Sequence, residues 1–320
     1  MLGMGGIVLG SLVWQEGGEA VGVLIGVGAV AMATFGYWLV RRKRRRKATL
    51  IDPDLFISKV FRLGITEQML QQIALGGTMI ALPIYLQMVL EYNAMQAGLS
   101  LAPLSLTMFG VAILAGKRAG KRRPAGIIRW GFVFLTAGLV VLIPVVPRAD
   151  SGWYLLVPLV VAGSGLGLLV SQLNNYTLAP ISEERVSEAA GVNSAAGSFG
   201  LSFGLAFAGA IMLAALSVAF TSMAESSTVL APAEQQQVAA ALEEDAEVLS
   251  NTALEEQLVG QPPATKAEII RINTEARPLA LQIALLIPIL AGLIGLFNSF
   301  RMMRLPDPKQ SGTAEGMVLG

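Results

Sequence analysis

The sequence contains no cysteine and no histidine, and only 14% of its 320 residues are charged. These absences exclude disulfide scaffolds, thiolate metal sites, cysteine nucleophiles and histidine-dependent catalytic triads. A soluble domain usually has about 25% charged residues, whereas 54% of this chain is hydrophobic and its mean hydropathy is +0.62. The net charge of +1 does not show the excess of basic residues that is typical of nucleic-acid-binding proteins. The composition therefore predicts an integral membrane protein.

Long windows without Asp, Glu, Lys or Arg give the number of membrane crossings. A spanning helix needs about 20 apolar residues because the hydrocarbon core is about 30 Å thick. Seven windows meet this criterion: 20–40, 68–90, 94–116, 130–147, 151–182, 189–223 and 278–300. Residues 2–14 are apolar but too short to cross, and they lack the basic start of a signal peptide. We interpret them as the stump of an eighth span and expect the chain to begin inside a helix.

The loop charges predict the orientation. Lys and Arg concentrate in the cytoplasmic loops of membrane proteins. When the connections are taken alternately, 19 of the 23 basic residues fall on one side and four on the other. We therefore expect a multi-pass protein of the cell membrane with a cytoplasmic C-terminus. The predicted parts are linker helices in 1–47, five spans in 48–223, an outer loop in 224–277, a last span in 278–303 and a tail in 304–320.

The outer loop has ten acidic and three basic residues. Apolar residues recur at helical spacing in it, namely Val238, Leu242, Ala246, Leu249 and Ala253. Thr252 with Glu255, and Thr265 with Glu268, have the spacing of capping boxes. Gly260, Pro262 and Pro263 separate these two segments. The pattern predicts a short helical excursion, and a partly disordered acidic loop remains the alternative.

Polar side chains within the spans are the candidate lining of a substrate pathway. Glu67 is the most unusual, because carboxylates at membrane depth usually line pathways or proton relays. Its position near a helix start favours the alternative that it lies at headgroup level beside Arg62. The full candidate set is Glu67, Gln71, Gln72, Tyr85, Gln87, Gln172, Asn174, Asn175 and Asn193. Hydrogen bonding between helices explains these residues about as well as a cavity does.

Other patterns have structural interpretations or exclude chemistry. Small residues share one face of a helix and favour close packing: Gly197, Gly200, Gly204 and Ala208. The window 278–300 has no lysine for a retinal Schiff base. No paired carboxylates lie at depth for a protease or metalloenzyme. We expect no enzyme activity, no cofactor and no metal site.

Four stretches resemble one known family. They are LIDPDLF at 50–56, LPIYLQMVLEYNAMQAG at 82–98, AGKRAGKRRP at 115–124, and 183–204. Together they are similar to the C-terminal part of a major facilitator superfamily transporter, in the fourteen-span drug:proton antiporter branch. The resemblance covers nearly the whole chain. It implies a gating hairpin at Gly116, Lys117, Arg118 and Lys121, although Gly120 stands where the family often has an acidic residue.

The resemblance implies an all-α fold with a six-helix C-terminal bundle, one preceding linker span and a truncated helix stump. It implies proton-driven export of small hydrophobic or cationic compounds by alternating access, with a missing N-terminal bundle as partner. Alone, the chain would then not transport. The alternatives are a non-transporting membrane scaffold that binds through its outer loop, a half-transporter that needs a second bundle, and an exporter of amino acids or sugars.

The predicted orientation has a direct test. Protease added outside intact cells should cleave within 224–277, because this segment is expected on the outer face. Inverted vesicles should protect the same segment. Cleavage only from the inner face would contradict the topology.

Overall fold

The structure is a computed structural model that describes residues 21–45, 51–118, 122–244 and 250–306. All regular secondary structure in these ranges is helical. The α-helices are α1 (Val21–Arg44), α2 (Lys59–Met88), α3 (Ala94–Gly116), α4 (Pro124–Val145), α5 (Leu156–Leu178), α6 (Val186–Glu225), α7 (Pro232–Glu244), α8 (Asn251–Gln257) and α9 (Pro263–Met303). Short 3₁₀ helices precede α2, α5 and α6 and follow α4.

Six of the described helices are long and apolar enough to cross a membrane: α2, α3, α4, α5, α6 and α9. This confirms the predicted all-α membrane fold and its six-helix bundle. The remaining predicted span, 20–40, overlaps α1, which is not one of these six. The predicted helix stump at 2–14 lies outside the described residues. The spans fold as helices because only internally hydrogen-bonded backbone is stable in hydrocarbon.

Several helices extend well beyond the apolar windows. α2 begins at Lys59 rather than at residue 68, so Lys59, Arg62 and Glu67 all belong to it. α6 has 40 residues and α9 has 41. The segment 224–277 therefore begins with the last residues of α6 and ends with the first part of α9, residues 263–277. A hydropathy window ends at the first charged residue, whereas a helix continues as long as each backbone amide bonds to the carbonyl oxygen four residues earlier.

Glycines bring α2 into close contact with α6. A Cβ on Gly200 would lie 2.5 Å from the carbonyl oxygen of Met69, and one on Gly204 would lie 2.8 Å from Cα of Ile73. On the α2 side, a Cβ on Gly76 would lie 3.0 Å from the amide nitrogen of Leu205. Without Cβ atoms the two backbones approach directly, as small residues permit in membrane bundles. The predicted small face, including Gly197 and Ala208, is turned toward α2.

The other helices pack around this pair. α9 contacts α2, α6 and α4, while α5 joins α4 to α2 and α3. α3 lies at the periphery, with only Ala97 and Leu104 buried. Tyr85 in α2 donates a hydrogen bond of 2.7 Å to the carbonyl oxygen of Val146, which ties α2 to the end of α4.

We call the end of the bundle that carries Lys59 and Arg301 the basic end, and the opposite end the acidic end. At the basic end, Asp52 caps a 3₁₀ helix, Pro53–Ile57. Its carboxylate pairs with Lys43 of α1 and, at 3.4 Å, with Arg185 before α6. The amide of Asp54 and the Lys43 ammonium hold the pKa of Asp52 below its usual range. This network joins α1 to the α5–α6 connection.

At the acidic end, the predicted helical excursion forms α7 and α8, which pack back onto the bundle. Leu242, Leu254 and Ile269 are buried in the main core. The Glu91 carboxylate accepts hydrogen bonds from the hydroxyl and amide of Thr252, which lowers its pKa. Residues 246 and 249 of the predicted pattern lie outside the described residues.

Both predicted capping boxes were wrong in position. Ser250 caps α8, and its hydroxyl accepts a bond of 3.2 Å from the amide of Ala253. The Thr252 hydroxyl is engaged by Glu91 instead. Thr265 lies inside α9, which starts at Pro263, because proline at the first helical position needs no amide partner.

The glycine contact predicts a specific mutational effect. Gly204→Ala should destabilise the bundle by about 1–3 kcal/mol, because the added methyl would overlap backbone that cannot move independently. The matched control is Gly191→Ala in the same helix, where no atom lies within 4 Å of the new Cβ. Alanine's higher helix propensity should leave that variant equal or slightly more stable. Thermal unfolding of both variants in detergent measures the difference, and equal midpoints would contradict the contact.

Candidate functional site

The predicted pathway residues separate into two groups along the bundle. Toward the basic end lie Glu67, Gln71 and Gln72 of α2, Gln172, Asn174 and Asn175 of α5, and Asn193 of α6. Tyr85 and Gln87 lie near the other end of α2. Glu67 and Tyr85 are 18 residues apart, which is about 27 Å along a helix. The structure therefore does not bring the two groups together.

Glu67 is completely buried, with 0% of its surface exposed. Neither of its carboxyl oxygens has a hydrogen-bond partner among the described residues. The nearby Arg62, in contrast, is exposed. Glu67 thus does not lie at a wetted helix end, which was the alternative favoured by its position.

The face of α2 that carries Glu67 is turned toward α5. One turn earlier, a Cβ on Gly64 would lie 2.8 Å from Cβ of Thr177 in α5. One turn later, Gln71 is buried, and its side-chain oxygen has no partner in the described part of the chain. Residues at these spacings share one face of a helix. Burial of a carboxyl without a hydrogen-bond partner is costly, so this face does not gain stability from Glu67.

The neighbouring face of α2 is turned toward α6. The Cβ of Gln72 is 3.2 Å from the position a Cβ on Gly200 would take. The buried side-chain oxygen of Gln72 has no hydrogen-bond partner within the described ranges. Gln71 therefore lies one turn from Glu67 on the same face of α2, whereas Gln72 lies on the face that contacts α6.

A third interface joins α5 and α6. The amide of buried Asn193 donates a bond of 3.2 Å to the side-chain oxygen of Asn174. Asn174 and Asn175 are exposed, whereas Gln172 is buried. Hydrogen bonding between helices accounts for the Asn174–Asn193 pair, but not for Glu67. We define the buried polar set as the buried residues Glu67, Gln71, Gln172 and Asn193 together with the half-buried Gln72, whose side-chain oxygen is buried.

Tyr85 and Gln87 have hydrogen-bond partners outside the buried polar set. The Tyr85 hydroxyl bonds to Val146 and, at 3.3 Å, to the carbonyl oxygen of Ala149. The half-buried Gln87 donates a bond of 3.3 Å to the carbonyl oxygen of Pro83 in its own helix. These contacts give Tyr85 a packing role and leave Gln87 outside the buried polar set.

The structure describes three of the four residues of the predicted gating hairpin, namely Gly116, Lys117 and Arg118. Gly116 ends α3, and Lys117 caps it. Arg118 and Arg122 line a surface cavity of about 470 Å³ with apolar residues of α3, α4 and α5. Lys121 lies outside the described residues. Two arginines at this cavity suit a position at the headgroup level of the basic end.

Sequence reasoning missed several buried polar residues, and two of them are Asn273 and Arg277. Both were assigned to the outer loop because the span was expected to start at residue 278. The buried positions Ile269, Ile272 and Ala276 already follow helical spacing. That periodicity could have revealed that the helix starts earlier.

A bundle of six helices that are long and apolar enough to span a bilayer defines the class of multi-pass helical membrane proteins. The comparison with known families specifies the class. The family model for the Major Facilitator Superfamily matches residues 1–205. The chain belongs to this family.

The relatives carry transport names. The "Probable actinorhodin transporter" of Streptomyces coelicolor is 25% identical over 261 residues, covering 80% of this chain and 45% of that protein. The "Uncharacterized transporter YebQ" of Escherichia coli is 30% identical over 214 residues, covering 66% and 46%. The "Multidrug resistance protein Stp" of Mycobacterium tuberculosis is 29% identical over 195 residues, covering 61% and 35%. The chain spans about half the length of the first two of these relatives, and the matched part of the third is shorter.

The burial of Glu67 predicts an unusual stability effect. Glu67→Met should raise the free energy of unfolding by about 1–3 kcal/mol, because it removes a buried polar group that lacks partners and keeps the side-chain volume. Glu184→Met replaces an exposed carboxylate and should leave stability unchanged. Chemical unfolding in detergent gives both values. A destabilised Glu67→Met protein would show that the carboxyl has a structural partner.

Proposed function

We propose that this chain forms one six-helix bundle of a proton-coupled exporter of hydrophobic, often cationic compounds, in the fourteen-span drug:proton antiporter branch. In this proposal the protein lies in the cell membrane with its basic end and C-terminus in the cytoplasm. Transport proceeds by alternating access, in which this bundle rocks against a second bundle around a site between them. The chain supplies one wall of that site and does not transport alone.

The observation that carries the proposal is the buried, unpartnered carboxyl of Glu67. An ionisable group within a membrane bundle is expensive and is usually kept for ion or substrate movement. A single carboxyl can bind a proton or attract an organic cation, but not both. Mutually exclusive occupancy of this kind is what an antiporter requires.

The surroundings of Glu67 also support this role. Gln71 lies one turn from Glu67 on the same face of α2, and its amide group can hydrogen-bond to either form of a carboxyl. α2 and α6 meet backbone to backbone without intervening side chains. We therefore expect the two helices to tilt together as one body. Relatives whose names refer to multidrug resistance support the proposed substrate class.

The scaffold alternative depended on an outer loop available for binding. The described part of that segment instead forms helices whose apolar residues, such as Leu242 and Leu254, are buried in the main core. Contacts such as Ser217 with Glu243, at 2.7 Å, and Ser227 with Glu268, at 2.7 Å, hold it to α6 and α9. These contacts favour a structural role for the segment.

The proposal predicts pH-dependent binding of an organic cation. Tetraphenylphosphonium should bind the purified full chain more tightly as pH rises, because fewer protons then compete for Glu67. Release of one proton per cation corresponds to a change of up to about tenfold per pH unit, or about 1.4 kcal/mol. Equilibrium dialysis across a pH series measures the dependence.

Two variants make the test specific. Glu67→Gln should remove the pH dependence, because the amide cannot exchange a proton with the cation. Glu184→Gln changes an exposed carboxylate outside the spans and should retain it. Binding by the unmodified chain that is independent of pH, or pH dependence that persists in Glu67→Gln, would refute the role of Glu67.

A further inference from the structure

A cavity of about 430 Å³ lies at the basic end, between the start of α2 and the end of α9. Three basic side chains line it, namely Lys59 and Arg62 of α2 and Arg301 of α9. Leu63 and Leu305 form the apolar part of its wall. No acidic residue among the described residues lines it. The cavity therefore places three positive charges next to an apolar surface.

These three cations have no anionic partner in the described ranges. None of Lys59, Arg62 and Arg301 forms an ion pair there, although ion pairs hold α1 to the α5–α6 connection at the same end. All three side chains are exposed. Thr66 also lines the wall, but its hydroxyl donates a bond of 2.9 Å to the carbonyl oxygen of Arg62. Because like charges repel, an anion in this cavity would stabilise the arrangement.

The cavity lies at the depth of the lipid head groups. The α2 residues of its wall, at 59, 62, 63 and 66, have the spacing of one helix face, and this face lies beside the end of α9. Arg301 comes directly after the apolar window 278–300. The cations are therefore located where the two helices leave the hydrocarbon core.

An apolar stripe on α9 leads from the membrane core to this cavity. Leu290, Ile294 and Phe297 precede Arg301 by 11, 7 and 4 residues, so they share one face of the helix with it. Each of the three is more than half exposed, and the guanidinium carbon of Arg301 lies 5.2 Å from the ring centroid of Phe297. From Leu290 to Arg301 the stripe is about 17 Å long, close to one leaflet of a hydrocarbon core about 30 Å thick. Its length therefore matches one acyl chain.

We propose that this cavity binds the phosphate head group of an anionic phospholipid, with one acyl chain lying along the α9 stripe. Phosphate oxygens accept strong, charge-assisted hydrogen bonds from guanidinium and ammonium groups. Basic pockets between membrane helices are suited to anionic head groups for this reason. A soluble anion would neutralise the cations only, whereas a phospholipid also covers the stripe. The inference does not depend on the proposed transport activity.

Native mass spectrometry of the full chain in a neutral detergent tests the site. Dioleoylphosphatidylglycerol and dioleoylphosphatidylcholine have the same chains but differ in net charge, and each is titrated separately. The first phosphatidylglycerol should bind about tenfold more tightly than the first phosphatidylcholine, and this preference should fall as salt is raised. Lys59→Gln/Arg62→Gln/Arg301→Gln should reduce the preference to about twofold or less, because the charge-assisted bonds are lost.

A matched control removes the same number of positive charges from the same end. Arg41 and Arg44 of α1 and Arg304 after α9 are exposed, but they do not line the cavity. Arg41→Gln/Arg44→Gln/Arg304→Gln should therefore keep the preference of the unmodified chain. This control separates a defined site from the general attraction of anionic lipid to basic residues. Equal loss of preference in the two triple variants would overturn the proposal.

A second variant covers the case in which the triple variant of the cavity fails to fold. Leu305→Glu retains all three cations and adds a carboxylate to the wall. Phosphatidylglycerol should then bind more weakly, while binding of phosphatidylcholine stays unchanged. Unchanged binding of phosphatidylglycerol by folded Leu305→Glu would contradict the site, as would equal binding of the two lipids by the unmodified chain.

The contribution of the acyl chains is a separate measurement. Glycerol phosphate carries the charged group of the lipid without its chains, and a large excess should leave phosphatidylglycerol bound. Displacement would identify a site for a soluble anion and overturn the assignment of a phospholipid. The pH dependence of tetraphenylphosphonium binding should persist in Lys59→Gln/Arg62→Gln/Arg301→Gln, because Glu67 is retained. Failure of either proposal is therefore recognised independently.

Discussion

The direct backbone contact between α2 and α6 is the constraint on which the rest of the bundle depends. Hydrocarbon tails are as apolar as leucine, so helices in a membrane associate through close packing rather than exclusion from water. Gly76, Gly200 and Gly204 allow that packing because a Cβ at any of them would overlap backbone of the facing helix. α9 then covers both helices, and α5 closes the other side of α2. Each of the three interfaces that contain the buried polar set includes α2 or α6.

The two buried charges of α2 and α9 lie at opposite ends of these helices. Glu67 lies near the basic end, and Arg277 lies near the acidic segment that contains α7 and α8. Each buried group is thus nearest to surface charge of the opposite sign. Long-range attraction of this kind partly offsets the cost of removing a charge from water. Their separation along the bundle also prevents the carboxyl and the guanidinium from pairing with each other.

The sequence predicted the number and order of the six described spans because the bilayer demands long apolar runs. It did not predict where α2 and α9 begin, since a helix continues through charged residues once it leaves hydrocarbon. The sequence identified the polar candidate residues, but it did not identify the residues to which they hydrogen-bond. The hydrogen bond from Tyr85 to Val146 joins residues 61 positions apart. Thr252 was predicted to cap a helix, but its hydroxyl donates a hydrogen bond to Glu91 instead. Such pairings depend on how helices meet, which periodicity within one helix does not encode.

The length of α9 has a mechanical consequence. Its 41 residues form one continuous rod of about 60 Å, and a tilt of about 10° around one end displaces the other by about 10 Å. Because α8 is hydrogen-bonded to this rod through Asn251 and Asn273, the helices above the bilayer are carried along with it. A spin label near Lys266 would therefore report small rotations of the membrane-spanning part of α9 as larger displacements.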